Sequence, residues 1–233
     1  MTKKKYTFVL VHGAWSGGWC WRLVANILRD AGHRVYTPTL SGLGERSHLM
    51  SSEINLSTHI NDIVNLLKWE ELEGVVLCGH SYAGMVISGV AEKVSPAIID
   101  VIVYLDAMYT ESGKSGSDYF PVADACEELD PGLPCAPASQ LGFTGAVAAW
   151  IDKLVTPHPV RSFLEPLIHD DAREGIAKKL YVCATQSNIP LFTETADQLA
   201  KNPSWQLAYI DSLHHTMIDK PEETAELLLS VAI

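Results

Sequence analysis

The amino-acid sequence predicts an α/β fold: a mostly parallel sheet of about six strands, with helices on both faces and a cap inserted after the strand that ends near Leu105. Short continuous apolar runs, typical of strands buried on both faces, alternate along the chain with stretches in which apolar residues recur at helical spacing. Polar residues follow several of these runs directly. Such positions lie at the carboxyl edge of a parallel sheet, where ligands bind, so the pattern also predicts a site.

The first strand is predicted over residues 6–11, a β-branched and aromatic run. A glycine-rich turn then leads into a helix whose apolar face extends from Cys20 to Ala31. Gly32 is suited to end this helix, because glycine readily adopts the left-handed backbone conformation found at helix C-termini. A short second strand follows over residues 34–37.

The next predicted helix has Ser57 or Thr58 as its N-cap, since either hydroxyl can accept a hydrogen bond from the first helical turn. Gly74 ends that region, and an apolar strand begins. A sharp turn joins this strand to a helix that runs to about Lys93. Residues 97–105 then form another buried strand.

Residues 108–174 differ in character, because Gly, Pro, Ser and acidic residues predominate and repeated prolines interrupt long elements. An irregular insertion of this kind is a source of caps over active sites. We therefore expect residues 1–107 and 175–233 to form the core and residues 108–174 to form the cap. The remaining predicted elements are a cap helix over residues 144–154, a strand over 180–184, a helix over 193–200, a strand over 205–210 and a last helix with Asp219 as its N-cap.

The composition excludes several function classes. A net charge of −11 over 233 residues argues against nucleic-acid binding, because phosphate recognition needs a basic surface. No run approaches the roughly 18 apolar residues of a membrane span, and the apolar stretch after the lysines at positions 3–5 is too short for a secretory signal. We therefore expect no membrane association.

The cysteines indicate a reducing environment. Five cysteines in a chain without a recognisable secretory signal favour free thiols, and hence a cytoplasmic protein. Cys78 and Cys183 lie in apolar runs and are expected in the core. A pairing between Cys126 and Cys135 is left open. No Cys or His grouping has zinc spacing and no glycine-rich phosphate loop occurs, so neither a metal nor a cofactor is expected.

Ser81 stands in the sequence Gly79-His80-Ser81-Tyr82-Ala83-Gly84, where a strand turns directly into a helix. Small residues around such a turn permit its strained backbone, and the apex hydroxyl is exposed above the sheet beside the N–H groups of the first helical turn. This is close to the G-x-S-x-G nucleophile elbow, although the last glycine comes one place late. The alternative is that Ser81 merely caps the helix.

Motifs along almost the whole chain resemble those of the α/β-hydrolases, and within them the small plant methylesterases, such as those acting on methyl salicylate, and the related hydroxynitrile lyases. The matching segments are His12-Gly13-Ala14-Trp15 with Gly18-Trp19, Ala31-Gly32-His33, Gly79-His80-Ser81, and His214-x-x-Met217 with Pro221. The resemblance is weakest in the cap.

This resemblance implies that Ser81 is the nucleophile and His214 its general base. Spacing to Met217 and Pro221 favours His214 over the adjacent His215. A serine hydroxyl needs such a base because it is a poor nucleophile until its proton is removed. The resemblance also implies that the backbone N–H groups of Ala14 and Tyr82 bind the oxyanion.

The acid of the triad departs from the family pattern. The usual Asp before an Ile-Pro pair is absent, because Ser187 and its neighbours precede Ile189-Pro190 without a carboxylate. Some α/β-hydrolases carry the acid one strand earlier, where this chain has Asp106 at the end of a buried strand. Asp106 is therefore the preferred acid and Asp211 the next candidate, and the alternative role of Asp106 is to cap the start of the predicted cap segment.

An apolar pocket is expected if the cap folds over Ser81. Its predicted lining includes Gly13, Trp15, Met108, Trp150 and His215. The other histidines are expected to have structural or surface roles: His12 and His80 would brace the two turns, and His33, His48, His59, His158 and His169 would be surface or loop residues.

The predicted function is a carboxylesterase-type serine hydrolase that cleaves a small, largely apolar ester or lactone through an acyl-enzyme on Ser81. The hydroxynitrile lyases of the family have Thr at the position of Gly13 and Lys at that of His215, so lyase activity is the weaker alternative. An amide or carbamate hydrolase and a non-catalytic ligand-binding protein on the same fold also remain alternatives. The expected partner is the small-molecule substrate, and homodimer formation is left open.

Overall fold

The computed structural model describes residues 4–120 and 131–232. Its main sheet has six parallel strands in the order β2-β1-β3-β4-β7-β8, and a two-stranded antiparallel sheet pairs β5 with β6. This confirms the predicted α/β architecture. The strands are β1 Thr7–Val11, β2 Arg34–Tyr36, β3 Val75–His80, β4 Ile99–Leu105, β5 Gly132–Leu133, β6 His158–Pro159, β7 Lys178–Ala184 and β8 Gln206–Ile210.

Helices cover both faces of the main sheet. The described helices are α1 Arg22–Asp30, α2 Leu56–Trp69, α3 Ala83–Lys93, α4 Gly145–Leu154, α5 Arg161–Leu164, α6 Pro190–Leu199, α7 Thr216–Asp219 and α8 Pro221–Ala232. Apolar residues of α2, α3 and α6 pack in one cluster on one face, and those of α1 and α8 pack in a second cluster on the other. Because both faces are covered, the central strands carry continuous apolar runs, and every residue of β3 is buried.

The strand register brings the polar residues of the sequence to one edge. Val11 pairs with Gly79, and His80 pairs with Leu105, so β1, β3 and β4 end at nearly the same level. The residues that follow these strands therefore emerge side by side. Ser81 and Asp106 are two of them.

Two predicted caps differ in the structure. The N-cap of α2 is Asn55, whose side chain accepts from the N–H of Thr58, while the Thr58 hydroxyl closes the capping box. Asp219 does not cap the last helix. Its carboxylate accepts instead from the hydroxyl of Ser212 and the N–H of Leu213 at 3.0 Å each, so it braces the loop before His214.

Residues 108–120 and 131–174 contain short elements, of which α4 is the longest helix described. Cys126 lies outside the described residues. Within the described part of the chain, none of the helices combines the length and apolar character needed to cross a membrane.

Candidate active site

Ser81 occupies the apex of the turn between β3 and α3. Its φ is +55°, a conformation that costs a non-glycine residue roughly 1–2 kcal/mol and persists only where neighbours hold it. The Ser81 carbonyl accepts hydrogen bonds of 3.0 Å from the N–H groups of Gly84 and Met108, and the Ser81 N–H donates to the Leu105 carbonyl at 3.3 Å. The turn is thus fixed from both α3 and the end of β4.

The glycines beside Ser81 are required by close backbone contacts. A Cβ at Gly79 would lie 2.6 Å from the carbonyl oxygen of Ala83, and one at Gly84 would lie 2.1 Å from that of Met108. Real Cβ atoms do not approach backbone this closely. Helix α3 packs against the backbone of Met108, after β4, through Gly84 and not through Ala83. This explains why Ala83 is tolerated and why the second glycine of the motif comes at position 84.

A hydrogen-bonded chain joins the three residues predicted as the triad. The hydroxyl of Ser81 lies 3.0 Å from His214 Nε2, and His214 Nδ1 lies 2.7 Å from a carboxylate oxygen of Asp106. Since a carboxylate only accepts, Nδ1 carries the proton that it donates to Asp106. Nε2 is then free to accept the proton of the Ser81 hydroxyl.

Asp106 is completely buried at the turn after β4. It has φ of +43°, which Asp adopts more readily than most residues. Its N–H donates to the Val182 carbonyl at 2.7 Å, and its second carboxylate oxygen accepts from the N–H of Ala184 at 3.1 Å. Strand β7 therefore holds both the backbone and the side chain of Asp106.

The imidazole of His214 is held in place from two further sides. The ring of Phe192 stacks on it with a centroid distance of 5.3 Å and an interplanar angle of 8°. His80 Nε2 donates to the His214 carbonyl at 2.9 Å. His80 is buried, and desolvation, followed by the charges of His214 and His215, keeps its pKa well below the usual value, so it acts as a neutral brace.

Asp211, the alternative acid, points elsewhere. Its side chain is exposed and accepts from the Gln186 amide at 2.8 Å. A hydrogen bond of 3.4 Å also joins it to the hydroxyl of Thr185. The structure thus brings Asp106, and not Asp211, to the imidazole.

The two predicted oxyanion donors flank Ser81. Ala14 follows β1 and Tyr82 follows Ser81, and both residues line the cavity above the serine. Within the described part of the chain, neither backbone N–H has a protein acceptor. Free donors at this position are what a developing oxyanion needs.

A cavity of about 430 Å³ opens above Ser81. Its walls are mainly apolar and come from both the core and the segment predicted as the cap. Gly13, Trp15, Met108 and His215 line it as predicted. The cavity has further lining side chains for which the sequence predicts no such role, including Leu133, Cys135, Leu141, Ile151, Phe163, Ile189 and Phe192.

A family model described as the alpha/beta hydrolase family matches residues 8–227. The chain belongs to this family. The membership inferred from the sequence motifs is therefore confirmed.

Two sequence relatives of this hydrolase are named as esterases. It is 36% identical over 239 residues, which are 96% of its chain and 98% of the relative, to a carbendazim hydrolyzing esterase from Nocardioides sp. (strain SG-4G). It is 24% identical over 248 residues, 97% of its chain and 63% of the relative, to a putative chloroplastic methylesterase 11 from Arabidopsis thaliana. The family membership and the esterase names of these relatives support an ester-cleaving hydrolase.

Among solved structures, the hydrolase is similar to an extracellular alpha/beta-hydrolase from a Paenibacillus species. The TM-score is 0.78 at 25% identity, with 97% of this chain and 98% of the other covered. That protein is described as sharing structural and functional homology with tobacco salicylic acid binding protein 2.

Trp150 does not line the cavity of the hydrolase, contrary to the prediction. Its ring packs edge-on against Trp19 at a centroid distance of 5.2 Å, within a separate apolar cluster that includes Ile151. Neighbouring positions on α4 face different directions, so Ile151 reaches the cavity while Trp150 does not.

Three histidines expected at the surface or in loops are instead buried: His59, His158 and His169. His59 Nε2 donates to the Ser41 carbonyl at 3.0 Å, so its Nδ1 accepts from the Tyr82 hydroxyl at 2.9 Å. Burial lowers the pKa of His59 to about 4, which keeps the ring neutral. Its partner is 23 residues away along the chain, and no local pattern reveals such a contact.

His215 is a buried neutral wall residue. Desolvation, followed by the charge of His214, lowers its pKa to about 3. Its ring lies 5.0 Å from His80 and 6.1 Å from Phe143. Its ring faces the cavity, whereas the ring beside Asp106 is that of His214.

Proposed function

We propose that the hydrolase is a serine esterase that cleaves a small, largely apolar ester or lactone through an acyl-enzyme on Ser81. The observation that carries the proposal is the hydrogen-bonded chain from Ser81 through His214 to buried Asp106, at the floor of an apolar cavity. The hydrogen-bond distances agree with His214 donating from Nδ1 to Asp106 and accepting at Nε2 from Ser81, which is the arrangement that nucleophilic catalysis needs.

In the proposed first step, the Ser81 hydroxyl oxygen attacks the ester carbonyl as its proton moves to His214 Nε2. Asp106 stabilises the imidazolium so formed. The negative charge on the carbonyl oxygen is bound by the N–H groups of Ala14 and Tyr82. Collapse breaks the bond to the leaving alcohol, which takes the proton from His214.

In the second step, His214 removes a proton from water, whose oxygen attacks the acyl-enzyme. A second tetrahedral intermediate forms in the same oxyanion site. Its collapse releases the acid and returns the proton to Ser81. The overall reaction consumes one ester and one water and yields one acid and one alcohol.

The cavity supports a small uncharged substrate. Its walls carry few polar groups, and two of the three buried histidines that line it, His80 and His215, have pKa values lowered by burial and are neutral. Transfer of a charged acyl group into such surroundings is costly, whereas alkyl or aryl groups gain about 25 cal/mol per Å² of apolar surface buried. The proposed cap, residues 108–174, contributes much of this wall.

Methyl carbamates are a second candidate class of substrate for the hydrolase. The relative that is 36% identical over 98% of its own length is named for hydrolysis of carbendazim. Carbendazim is itself a methyl ester, of a carbamic acid carrying a planar aromatic ring, and the same acyl transfer applies to it. An apolar cavity of about 430 Å³ is large enough to take a bicyclic ring.

Lyase activity is the weaker alternative because position 13 has no room for a side chain. A Cβ on Gly13 would lie 2.9 Å from both Ser81 Cβ and His80 Nδ1. The threonine that the related lyases have at this position would therefore displace the nucleophile.

A labelling and turnover experiment tests the proposal. A fluorophosphonate probe should label the wild-type protein and leave Ser81→Ala unlabelled, and p-nitrophenyl butyrate, phenyl acetate, a short lactone and carbendazim should be assayed in parallel. Ser88→Ala is a control, since Ser88 is a buried residue of α3 whose hydroxyl is hydrogen-bonded to the Tyr104 hydroxyl. Labelling that persists in Ser81→Ala, or cyanide release from a cyanohydrin that matches ester cleavage in rate, would contradict the proposal.

A further inference from the structure

The turn that carries Ala14 is held by residues 133–158. The next residue, Trp15, donates its backbone N–H to His158 Nδ1 at 3.3 Å and its indole N–H to the Leu133 carbonyl at 2.9 Å. The Trp15 carbonyl accepts from the N–H of Thr156 at 3.0 Å. All three partners belong to the segment proposed as the cap.

These contacts matter because Trp15 is held in an unfavourable conformation. Its φ is +60°, which costs a bulky residue on the order of 1–3 kcal/mol unless its surroundings hold it there. The Gly13–Ala14 peptide, one residue earlier, is fixed from the core side, where His12 Nδ1 donates to the Gly13 carbonyl at 2.8 Å. That peptide bears the Ala14 N–H, so the orientation of the N–H depends on both sides of the turn.

His158 is set up as a hydrogen-bond acceptor. Because Trp15 donates to Nδ1, the ring proton must lie on Nε2, which donates to the Ser162 hydroxyl at 2.7 Å. Ser162 in turn donates to the Pro159 carbonyl at 2.8 Å. When the imidazole is neutral, each of these three hydrogen bonds joins one donor to one acceptor.

The surroundings of His158 agree with a neutral ring. The side chain is fully buried, and desolvation, followed by the charges of His59 and His12, holds its pKa well below the usual range. Its ring also contacts the aromatic ring of Tyr82 edge-on at 4.8 Å. His158 thus contacts Tyr82, one of the two proposed oxyanion donors, and Trp15, the residue that follows the other donor, Ala14.

We propose that His158 is a positioning residue, which holds the Ala14–Trp15 turn so that the Ala14 N–H faces the oxyanion. The proposal rests on the esterase mechanism given above. His158 touches neither Ser81 nor the bound ester in this scheme and acts through Trp15. The oxyanion site is therefore complete only when the His158 segment is seated on the core.

The kinetic signature follows from where the Ala14 N–H acts. An oxyanion exists in the transition state and not in the bound ester. An Ala14 N–H that no longer points at the oxyanion therefore lowers kcat and leaves KM nearly unchanged. Loss of one oxyanion donor costs about 10²–10³-fold in kcat in other hydrolases. A misaligned donor should cost less, so we expect a fall of about 10–100-fold for a variant without the acceptor.

Two substitutions at His158 separate positioning from packing. His158→Phe keeps a ring of similar size but removes the acceptor for Trp15. His158→Asn loses the ring but places an amide oxygen near the position of Nδ1, and it should recover kcat to within about tenfold of wild type. His169→Phe is the matched control, because His169 is also buried, with its Nε2 3.1 Å from the Thr110 carbonyl, but it does not contact the oxyanion turn.

The experiment measures kcat and KM for p-nitrophenyl butyrate, the thermal midpoint, and hydrogen exchange of the Trp15 amide by NMR in wild type and the three variants. We expect low kcat, unchanged KM and faster Trp15 exchange in His158→Phe only. Equal kcat in His158→Phe and His169→Phe, or a loss in His158→Phe that His158→Asn does not repair, would overturn the proposal.

Failure of the esterase proposal is distinguishable from failure of this one. An inactive wild type that resists labelling at Ser81 rejects the esterase mechanism, and with it a positioning role in that mechanism. In an active wild type, unchanged Trp15 exchange in His158→Phe rejects the positioning role alone.

Discussion

Asp106 reaches the imidazole of His214 from the end of β4, with 2.7 Å between its carboxylate oxygen and Nδ1, although the two residues are 108 positions apart in the chain. The proposed acid thus follows β4, which is the strand next to β7 in the main sheet, whereas the family resemblance implies an acid after β7, where this chain has Ser187. The N–H of Ala184, at the end of β7, now serves the same carboxylate as a hydrogen-bond donor. A carboxylate at the end of β4 can therefore serve as the acid without any change in the position of His214.

Asp106→Asn should lower kcat by about 10⁴-fold with the fold retained. The amide of Asn can present N–H to the imidazole, which favours the tautomer with the proton on Nε2, facing Ser81, where it cannot accept the serine proton. Steady-state hydrolysis of p-nitrophenyl butyrate and the circular dichroism spectrum check this result.

Asp211→Asn is the matched control for that substitution. It makes the same chemical change at an exposed carboxylate bonded to Gln186, so we expect kcat within about twofold of wild type. Near-normal turnover in Asp106→Asn, or an equal loss in both variants, would remove Asp106 from the proposed triad.

The fold and the residues of the proposed triad could be inferred from the sequence because their signals are local. A buried strand is a continuous apolar run, and the side chains at its end must lie at the edge of the sheet, as Ser81 and Asp106 do. Chain order and resemblance then placed His214. Each inference needed only a few neighbouring residues.

The contacts that hold the oxyanion turn from the proposed cap could not be inferred, because the partners are distant in the chain. Trp15 and His158 are 143 residues apart, and a histidine in a proline-rich stretch gives no local sign that it is buried. The prediction for Trp150 was wrong for a related reason, because an aromatic residue on a cap helix can either pack against the core or line the cavity. Only the direction in which α4 presents each side chain decides between the two.

Gly13→Thr should reduce both ester hydrolysis and stability and should not create lyase activity. A Cβ at this position would lie 2.9 Å from Ser81 Cβ, so the nucleophile or the β1 turn must shift. Overpacking of this kind costs about 1–3 kcal/mol, and a displaced nucleophile should lower kcat by at least about 10-fold. Ester and cyanohydrin assays, together with the thermal midpoint, measure these effects.

Gly175→Thr controls for the loss of a glycine. A Cβ at Gly175 would meet no atom of the described residues within 4 Å, so activity should be retained. Cyanide release by Gly13→Thr with ester cleavage abolished would show that position 13 alone separates the two reactions, contrary to the steric argument.

Tyr82→Phe should separate the backbone role of this residue from its side-chain role. The Tyr82 hydroxyl donates to His59 Nδ1 at 2.9 Å, and its removal leaves that buried nitrogen without a donor. Such a loss costs about 1–3 kcal/mol of stability. The backbone N–H is unaffected, so kcat should change by no more than about threefold. Steady-state ester hydrolysis measures kcat, and denaturant unfolding measures the loss of stability.

The control for this prediction is His59→Phe combined with Tyr82→Phe. His59→Phe also takes the His59 Nε2 donor from the Ser41 carbonyl, but the double variant removes both partners of the His59–Tyr82 hydrogen bond, so it should be less destabilised than the sum of the single variants. A fall in kcat of about 100-fold in Tyr82→Phe would instead give the hydroxyl a direct part in the reaction.

Buried neutral histidines surround the proposed site, and they make the fold sensitive to acid. His12 and His59 have pKa values lowered to about 4, chiefly by desolvation, and that of His215 is lowered to about 3 for the same reason. In the unfolded chain these groups titrate near pH 6.5. Below that pH the unfolded state binds more protons than the folded state, so stability is lost as the pH falls.

The unfolding free energy should therefore decrease steeply between pH 6.5 and pH 4. At pH 5 each fully buried histidine with a pKa of about 4 or lower contributes a loss on the order of 2 kcal/mol, and several such groups together approach the whole stability of an ordinary domain. Urea unfolding at pH 7.5, 6.5, 5.5 and 5.0 measures the slope. His59→Phe in the Tyr82→Phe background should make the slope shallower by about one proton, whereas His48→Gln, at an exposed position, should leave it unchanged. Equal slopes in these variants would mean that His59 gains its proton without unfolding, which its burial beneath Tyr82 argues against.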